Sequence, residues 1–176
     1  MSFYETALNR YSCRDFDPER KVETEKLGDI LAAARLAPSA CNGQSYHITV
    51  CRNEAAKRVA AAMQEKGMNK FTSDAPLMAV ISEEPPCKGA MLGIKHKGLD
   101  YRQTDIGILA AYITCAANEA GVESCILGWF NEDEVKNICG VDGAIRLIIA
   151  LGYPKKECAA PKKQRKEISE LVTFID

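Results

Sequence analysis

The chain has 176 residues, 47% of them hydrophobic and 27% charged, with a formal net charge of −1. This length suffices for one domain closed around its own core. The near-zero charge excludes bulk electrostatic attraction to nucleic acid or to an anionic membrane.

The opening MSFYETAL lacks the cationic and apolar blocks of a signal peptide, and no apolar run reaches membrane-spanning length. A soluble cytoplasmic protein is expected, with no membrane or nucleic-acid partner. Ser2 and Glu5 have capping-box spacing and open a short helix to about Asn9. The polar, basic stretch from Arg10 to Phe16 follows without helical period. Thr24 can cap a second helix whose apolar positions Leu27, Ile30, Leu31 and Ala34 recur at three- and four-residue steps. It must end before Pro38, because a residue preceding proline is pushed away from helical angles. A loop, PSACNGQ, occupies residues 38–44, and residues 46–51 read as a strand. Residues 54–66 form an amphipathic helix ending at Gly67, and residues 77–81 a second apolar strand.

Residues 83–101 carry Pro85, Pro86, Gly89, Gly93 and Gly98 and read as a loop or lid. The run from Ile106 to Ala117 is apolar on every side apart from Gly107 and Thr114. It is too long for a strand and too short to cross a bilayer, so a central helix wrapped by protein is expected. Asp105 is expected to cap its start and Gly121 to supply the left-handed stop. Residues 125–127 read as a short strand ending in Gly128. Asn131 and Glu134 mark a further capped helix to Cys139, and residues 145–151 a buried strand. An apolar-containing tail, residues 168–175, closes the chain. Strands separated by helices imply an α/β or α+β three-layer domain spanning residues 1–176.

Eight cysteines show no C-x-x-C or other metal-ligand spacing, and several sit inside apolar runs as small hydrophobes. With only two histidines, a His-based metal centre is not expected. Arg10, Ser12 and Arg14 fall on one side of an extended segment and offer two guanidinium forks and a hydroxyl, groups suited to phosphate or to a solvated charge cluster. Ser39, Asn42 and Gln44 in the 38–44 loop supply a hydroxyl and two amides, which suit a uracil-like ring edge or ordinary turn chemistry. The sequence has no G-x-G-x-x-G, no P-loop and no G-x-S-x-G elbow. Binding groups without evident acids, bases or nucleophiles suit chemistry carried by a cofactor.

Taken in order, these segments resemble the nitroreductase family of flavin mononucleotide (FMN) enzymes. Residues 10–16, RYSCRDF, match R-R-S-x-R-x-F with Tyr11 in place of the second arginine. Residues 37–44, APSACNGQ, match A-P-S-x-x-N-x-Q, with Ser45 and Tyr46 where the family has Pro-Trp. Asp105 to Gly107 and Ala117 to Gly128 reproduce D-x-G and A-x-x-x-G-x-x-S/T-C-x-L-G, and LGYP with a basic segment follows at residues 151–154 and 161–165.

The resemblance implies an α+β, α/β/α three-layer fold with a mostly antiparallel sheet and a buried central helix at a homodimer interface. FMN would lie at that interface, built from both chains. Arg10, Tyr11, Ser12 and Arg14 with Lys163 (or its neighbour Lys162) and Arg165 would meet the phosphate and ribityl chain. Pro38, Ser39, Ala40, Asn42 and Gln44 would come from the partner, and Leu127 and Gly128 would present backbone near the reactive edge. Residues 166–176 would form an arm packing on the other subunit. The implied activity is ping-pong hydride transfer from NADH or NADPH through flavin N5 to nitroaromatics, quinones or similar planar acceptors, with no catalytic side chain. The alternative is a flavin-binding or redox-sensing protein of the same fold that does not turn over.

Overall fold

The computed structural model describes residues 2–156 and 160–175. In chain order the helices are α1 (Phe3–Asn9), α2 (Thr24–Ala34), α3 (Asn53–Ala62), α4 (Lys88–Lys97), α5 (Arg102–Glu119), α6 (Glu132–Cys139) and α7 (Ile168–Leu171). The strands are β1 (Tyr46–Arg52), β2 (Leu77–Glu83), β3 (Glu123–Leu127) and β4 (Ile145–Gly152), arranged β1-β2-β4-β3 with every neighbouring pair antiparallel.

The sheet has helices on both faces, and its side-chain alternation divides the core in two. Met78, Val80, Ile148 and Ala150 point to one side and pack with Val59, Met63 and Val135 of the α3 and α6 layer. Leu77, Ala79, Ile81, Ile149 and Leu151 point to the other and meet Leu27 and Ile30 of α2 and Ile106, Leu109 and Ile113 of α5. Burial on both faces is why β2 and β4 read as continuous apolar runs instead of alternating ones. The three-layer α+β expectation therefore holds, and no helix among the described residues is long and apolar enough to cross a membrane.

Several local expectations need correction. The stretch from 83 to 101 is not a loop throughout: Glu83 ends β2, and α4 occupies Lys88–Lys97. Its glycines are packing choices and a stop, since a Cβ on Gly89 would stand 3.2 Å from the Cys41 sulfur, while Gly98 takes φ +66 at the helix C-cap. Thr24 is the first residue of α2 and Glu23 the cap, with no side-chain capping bond. α3 ends at Ala62, and Lys66, at φ +56, lies in a separate 3-10 turn before Gly67. The strands also extend beyond the expected bounds, β2 on to Glu83 and β3 back to Glu123.

The central helix starts earlier than expected. α5 begins at Arg102, whose guanidinium binds Glu83 at 2.9 Å and Asp100 at 2.6 Å, with Arg146 closing on the same buried Glu83 carboxylate at 2.6 Å. Asp105 lies inside the first turn and is buried instead of capping it. Gly121 does supply the left-handed stop, at φ +72. Within one chain α5 is enclosed only on its inner side; Gly107, Ala111 and Tyr112 are exposed. The capping box at Ser2 forms as the spacing predicts, while of the capping box expected at Asn131 the bond from the Glu134 N–H to the Asn131 side chain is formed.

Backbone crowding generates a stability prediction. A Cβ on Gly143 would sit 1.9 Å from the Glu83 carbonyl oxygen, where the Glu83 N–H also donates to the Ala144 carbonyl. Gly143→Ala is expected to cost about 1–3 kcal/mol as the loop is forced off the sheet. A Cβ added at Gly28 in α2 would meet nothing within 4 Å, so Gly28→Ala is expected to stabilise by about 0.5–1 kcal/mol. Urea unfolding of both variants beside the parent checks the pair.

Candidate functional site

The segment following α1 is fastened to the free edge of β3. The Cys13 N–H donates to the Ser124 carbonyl at 3.0 Å, and Ser12 pairs with Ser124 in a parallel bridge. Cys13 is buried and Tyr11 packs against the α3/α6 core, Ser12 bonds the Cys125 thiol, Arg10 is half-buried and Arg14 is exposed. Arg14 Nη1 donates to the Ser12 carbonyl at 3.2 Å, which holds the guanidinium close to its own backbone.

The last stretch of the chain returns to this edge. Lys163 Nζ donates to the Arg10 carbonyl oxygen. Lys163 is half-buried, while Lys162 and Arg165 are exposed. Burial, then the positive charges of Arg10 and Arg165, hold the Lys163 ammonium below its usual pKa, with Glu123 pulling the other way. The Arg14 and Arg10 charges also act on the Cys125 thiol, whose pKa burial raises. Arg10, Arg14, Lys163 and Arg165 thus crowd one end of β3 as mutually repelling cations, an arrangement that a multiply charged anion relieves.

The 38–44 loop forms a second cluster. Cys41, Asn42 and Gln44 hold φ values of 53, 51 and 46, in the left-handed region. Such residues cost about 1–3 kcal/mol each and persist where the surroundings over-determine them. Here the Gln44 N–H donates to Ser39 Oγ at 3.0 Å, Gln44 Nε2 donates to Asn42 Oδ1 at 3.3 Å, and the Ala40 N–H donates to Asp105 Oδ1 at 3.0 Å. Ser39 keeps its own O–H for another acceptor. The start of α4 packs on the loop so closely that a Cβ on Gly43 would stand 3.0 Å from the Cys87 sulfur. Pro38, Asn42 and Gln44 are exposed.

One chain does not bring these clusters together. The loop is tied to the first turn of α5 through Asp105, whereas the basic cluster surrounds Glu123, next to Asn118 in the last turn. Those two helix positions are about 20 Å apart at the rise of an α-helix. Leu127 buries its side chain and leaves only backbone to offer, and a Cβ on the exposed Gly128 would meet nothing within 4 Å.

The sequence reading missed the role of Asp105 in this region and missed Glu123 altogether. Asp105 is the anchor of the loop, a role hidden because a carboxylate at a helix start also looks like a cap. Glu123 opens β3 beneath the cations, and its signal was a lone acid between Val122 and the buried Ser124 and Cys125. Burial raises its pKa, opposed by Asn118 and by the charges of Arg10 and Lys163.

Known proteins share this architecture over the whole chain. An oxygen-insensitive NADPH nitroreductase of Helicobacter pylori J99 is 27% identical over 197 aligned positions, covering 94% of this chain and 93% of its own. A nitroreductase family protein of Clostridium difficile 630 superposes with a TM-score of 0.80 at 27% identity, covering 99% of this chain and 98% of its own. An FMN-dependent nitroreductase of Clostridium difficile R20291 does so at 0.77 and 25% identity, covering 97% and 98%. The family model itself aligns with residues 7–153, and on that match the chain belongs to the nitroreductase family.

Proposed function

We propose that two copies of this chain bind two FMN molecules at their interface and act as an NAD(P)H-dependent oxidoreductase on nitroaromatics, quinones or similar planar acceptors. The observation that carries the reading is the separation of the two clusters along α5: each is half a site, and a second chain running the other way along the helix supplies the missing half. The donor set fits the cofactor. Four crowded cations suit a phosphate monoester close to a dianion, and the hydroxyl and amides of the loop suit the polar edge of a flavin ring.

In this reading Arg10, Ser12, Arg14, Lys163 and Arg165 hold the phosphate and ribityl chain, with Tyr11 beside them. Pro38, Ser39, Ala40, Asn42 and Gln44 of the partner line the ring, and the backbone of Leu127 and Gly128 meets its reactive edge. FMN held there would supply two-electron chemistry at N5 for hydride passage from NADH or NADPH to the acceptor in ping-pong order. The chain's own work is to bind, to orient and to leave one face open for each substrate in turn, which explains why no catalytic acid or base is needed.

Exposed apolar surface supports the dimer. In a single chain Tyr112 on α5, Phe3 and Tyr4 on α1, and Ile168, Leu171, Phe174 and Ile175 of the tail all face solvent. A soluble monomer rarely shows so much. Residues 166–176, of which Asp176 lies outside the described residues, are read as an arm that covers the partner. Seven free cysteines among the described residues accord with a reducing cytoplasm.

The cheap test is colour: the purified protein is expected to be yellow or to take up FMN, and to oxidise NADH or NADPH with a quinone. Flavin uptake without any turnover would mark a binding or sensing protein instead. Arg14→Ala is expected to weaken FMN affinity by about 1.5–3 kcal/mol, roughly ten- to hundredfold. Arg35→Ala, at the exposed end of α2, is expected to leave it unchanged. Flavin content and fluorescence titration read the difference. Mixing an Arg14→Ala chain with an Asn42→Ala chain, each poor in flavin alone, is expected to restore flavin binding in the mixed dimers. Failure to recover any would refute the shared site.

A further inference from the structure

Beneath the basic cluster lies a carboxyl group that the proposed chemistry does not use. Glu123 Oε2 and Asn118 Oδ1 are sealed from solvent and have no hydrogen-bond partner among the described residues. Both are acceptors. An ionised carboxylate brings further acceptors and no donor, whereas the neutral acid brings an O–H. A buried acceptor without a donor is costly, and more so when it is charged. The groups that face Glu123 are Arg10 after α1, Lys163 from the C-terminal stretch, Asn118 from α5, and the buried thiol of Cys13. Arg10 and Lys163 are therefore the cations that face it among the described residues, and both belong to the set that would hold a phosphate.

We propose that Glu123 and the flavin phosphate compete for Arg10 and Lys163, so that the protein takes up a proton at Glu123 as FMN binds. This rests on the FMN reading above. With no anion present, the two cations can serve an ionised Glu123. When a phosphate monoester draws them outward, the carboxylate keeps the Asn118 amide but loses the cations that face it, its Oε2 stays sealed from solvent, and protonation removes the buried charge. Carbon–oxygen bonds are untouched; one proton moves from solvent to Glu123 Oε2, where it can be donated to an acceptor. Glu123 is thus a positioning residue, acting on the phosphate through Arg10 and Lys163.

The sign follows from linkage. Phosphate binding removes positive charge from Glu123 and raises its pKa in the complex above that in the free protein. The neutral form's contribution to binding is complete below the free-protein pKa and is lost as pH rises through the pKa of the complex. The window lies above the ordinary glutamate value of 4.5, because burial has already raised Glu123 in the free protein.

The test is FMN titration by flavin fluorescence from pH 5 to 8, with calorimetry in two buffers of different ionisation enthalpy, on the parent protein and Glu123→Gln. Protonation of the FMN phosphate, near pH 6, is common to both and cancels in the comparison. The parent is expected to take up more protons than Glu123→Gln. Its affinity is expected to fall relative to the variant as pH rises, by up to about tenfold for each pH unit of separation between the two Glu123 pKa values. Identical pH dependence and proton uptake in the two proteins would overturn the proposal while leaving the FMN reading intact. Absence of FMN binding by both would overturn the two together. Should Glu123→Gln not fold, carbon-13 NMR of parent protein labelled at its glutamate carboxyls reads the same event. A carboxyl moving to its protonated shift on FMN addition supports the proposal, and none doing so defeats it.

Discussion

The length of α5 sets the geometry on which the candidate site depends. Its first turn holds the 38–44 loop through the bond from the Ala40 N–H to Asp105, and its last turn stands beside Glu123 and the basic cluster. An α-helix is stiff over this distance, so two groups fastened to its ends keep their separation whatever the side chains do. The same rigidity that keeps them apart within one chain would hold both in register across a two-fold pair. The exposed small residues Gly107 and Ala111 give that outer side room for close approach.

The sheet serves this arrangement by burying both of its faces. With α2 and α5 on one side and α3 and α6 on the other, β2 and β4 become a rigid centre, and β3 is left as the edge strand to which the Arg10–Arg14 segment attaches. Edge strands are usually a hazard because their unpaired N–H and carbonyl groups recruit other chains. Here the parallel bridge at Ser12 and Ser124 satisfies part of that edge and simultaneously places the cations. The thiols follow the same logic of position. Cys13, Cys51, Cys125 and Cys139 all have pKa values pushed up by burial, Cys139 to about 12, which makes them packing groups. Cys41 lies instead exposed in the strained 38–44 loop, with the half-buried Cys87 packed against that loop.

Much of the fold was legible residue by residue. The largely apolar stretches of β2, β4 and α5, the capping residues Ser2 and Asn131, and the left-handed Gly121 each have one strong local explanation, and the chain adopts it. Local reading failed where two explanations shared one signature. Gly89 and Gly93 look like helix breakers in a sequence, but in three dimensions Gly89 gives room to the Cys41 sulfur and α4 forms around both. Asp105 looks like a cap and is a loop anchor. Arg102 lies ahead of the apolar run, yet its ion pair with the buried Glu83, nineteen positions earlier, carries α5 one turn further back.

Short-range pattern and motifs in a set order already carried the family and the layered α+β plan, and they nominated most of the residues proposed for the site. Only the tertiary structure decided that the cations and the loop stand at opposite ends of one helix, that Lys163 and not Lys162 turns inward, and that Glu123 lies sealed beneath them. Those facts depend on which distant segments meet, and burial and charge crowding exist only once they have met.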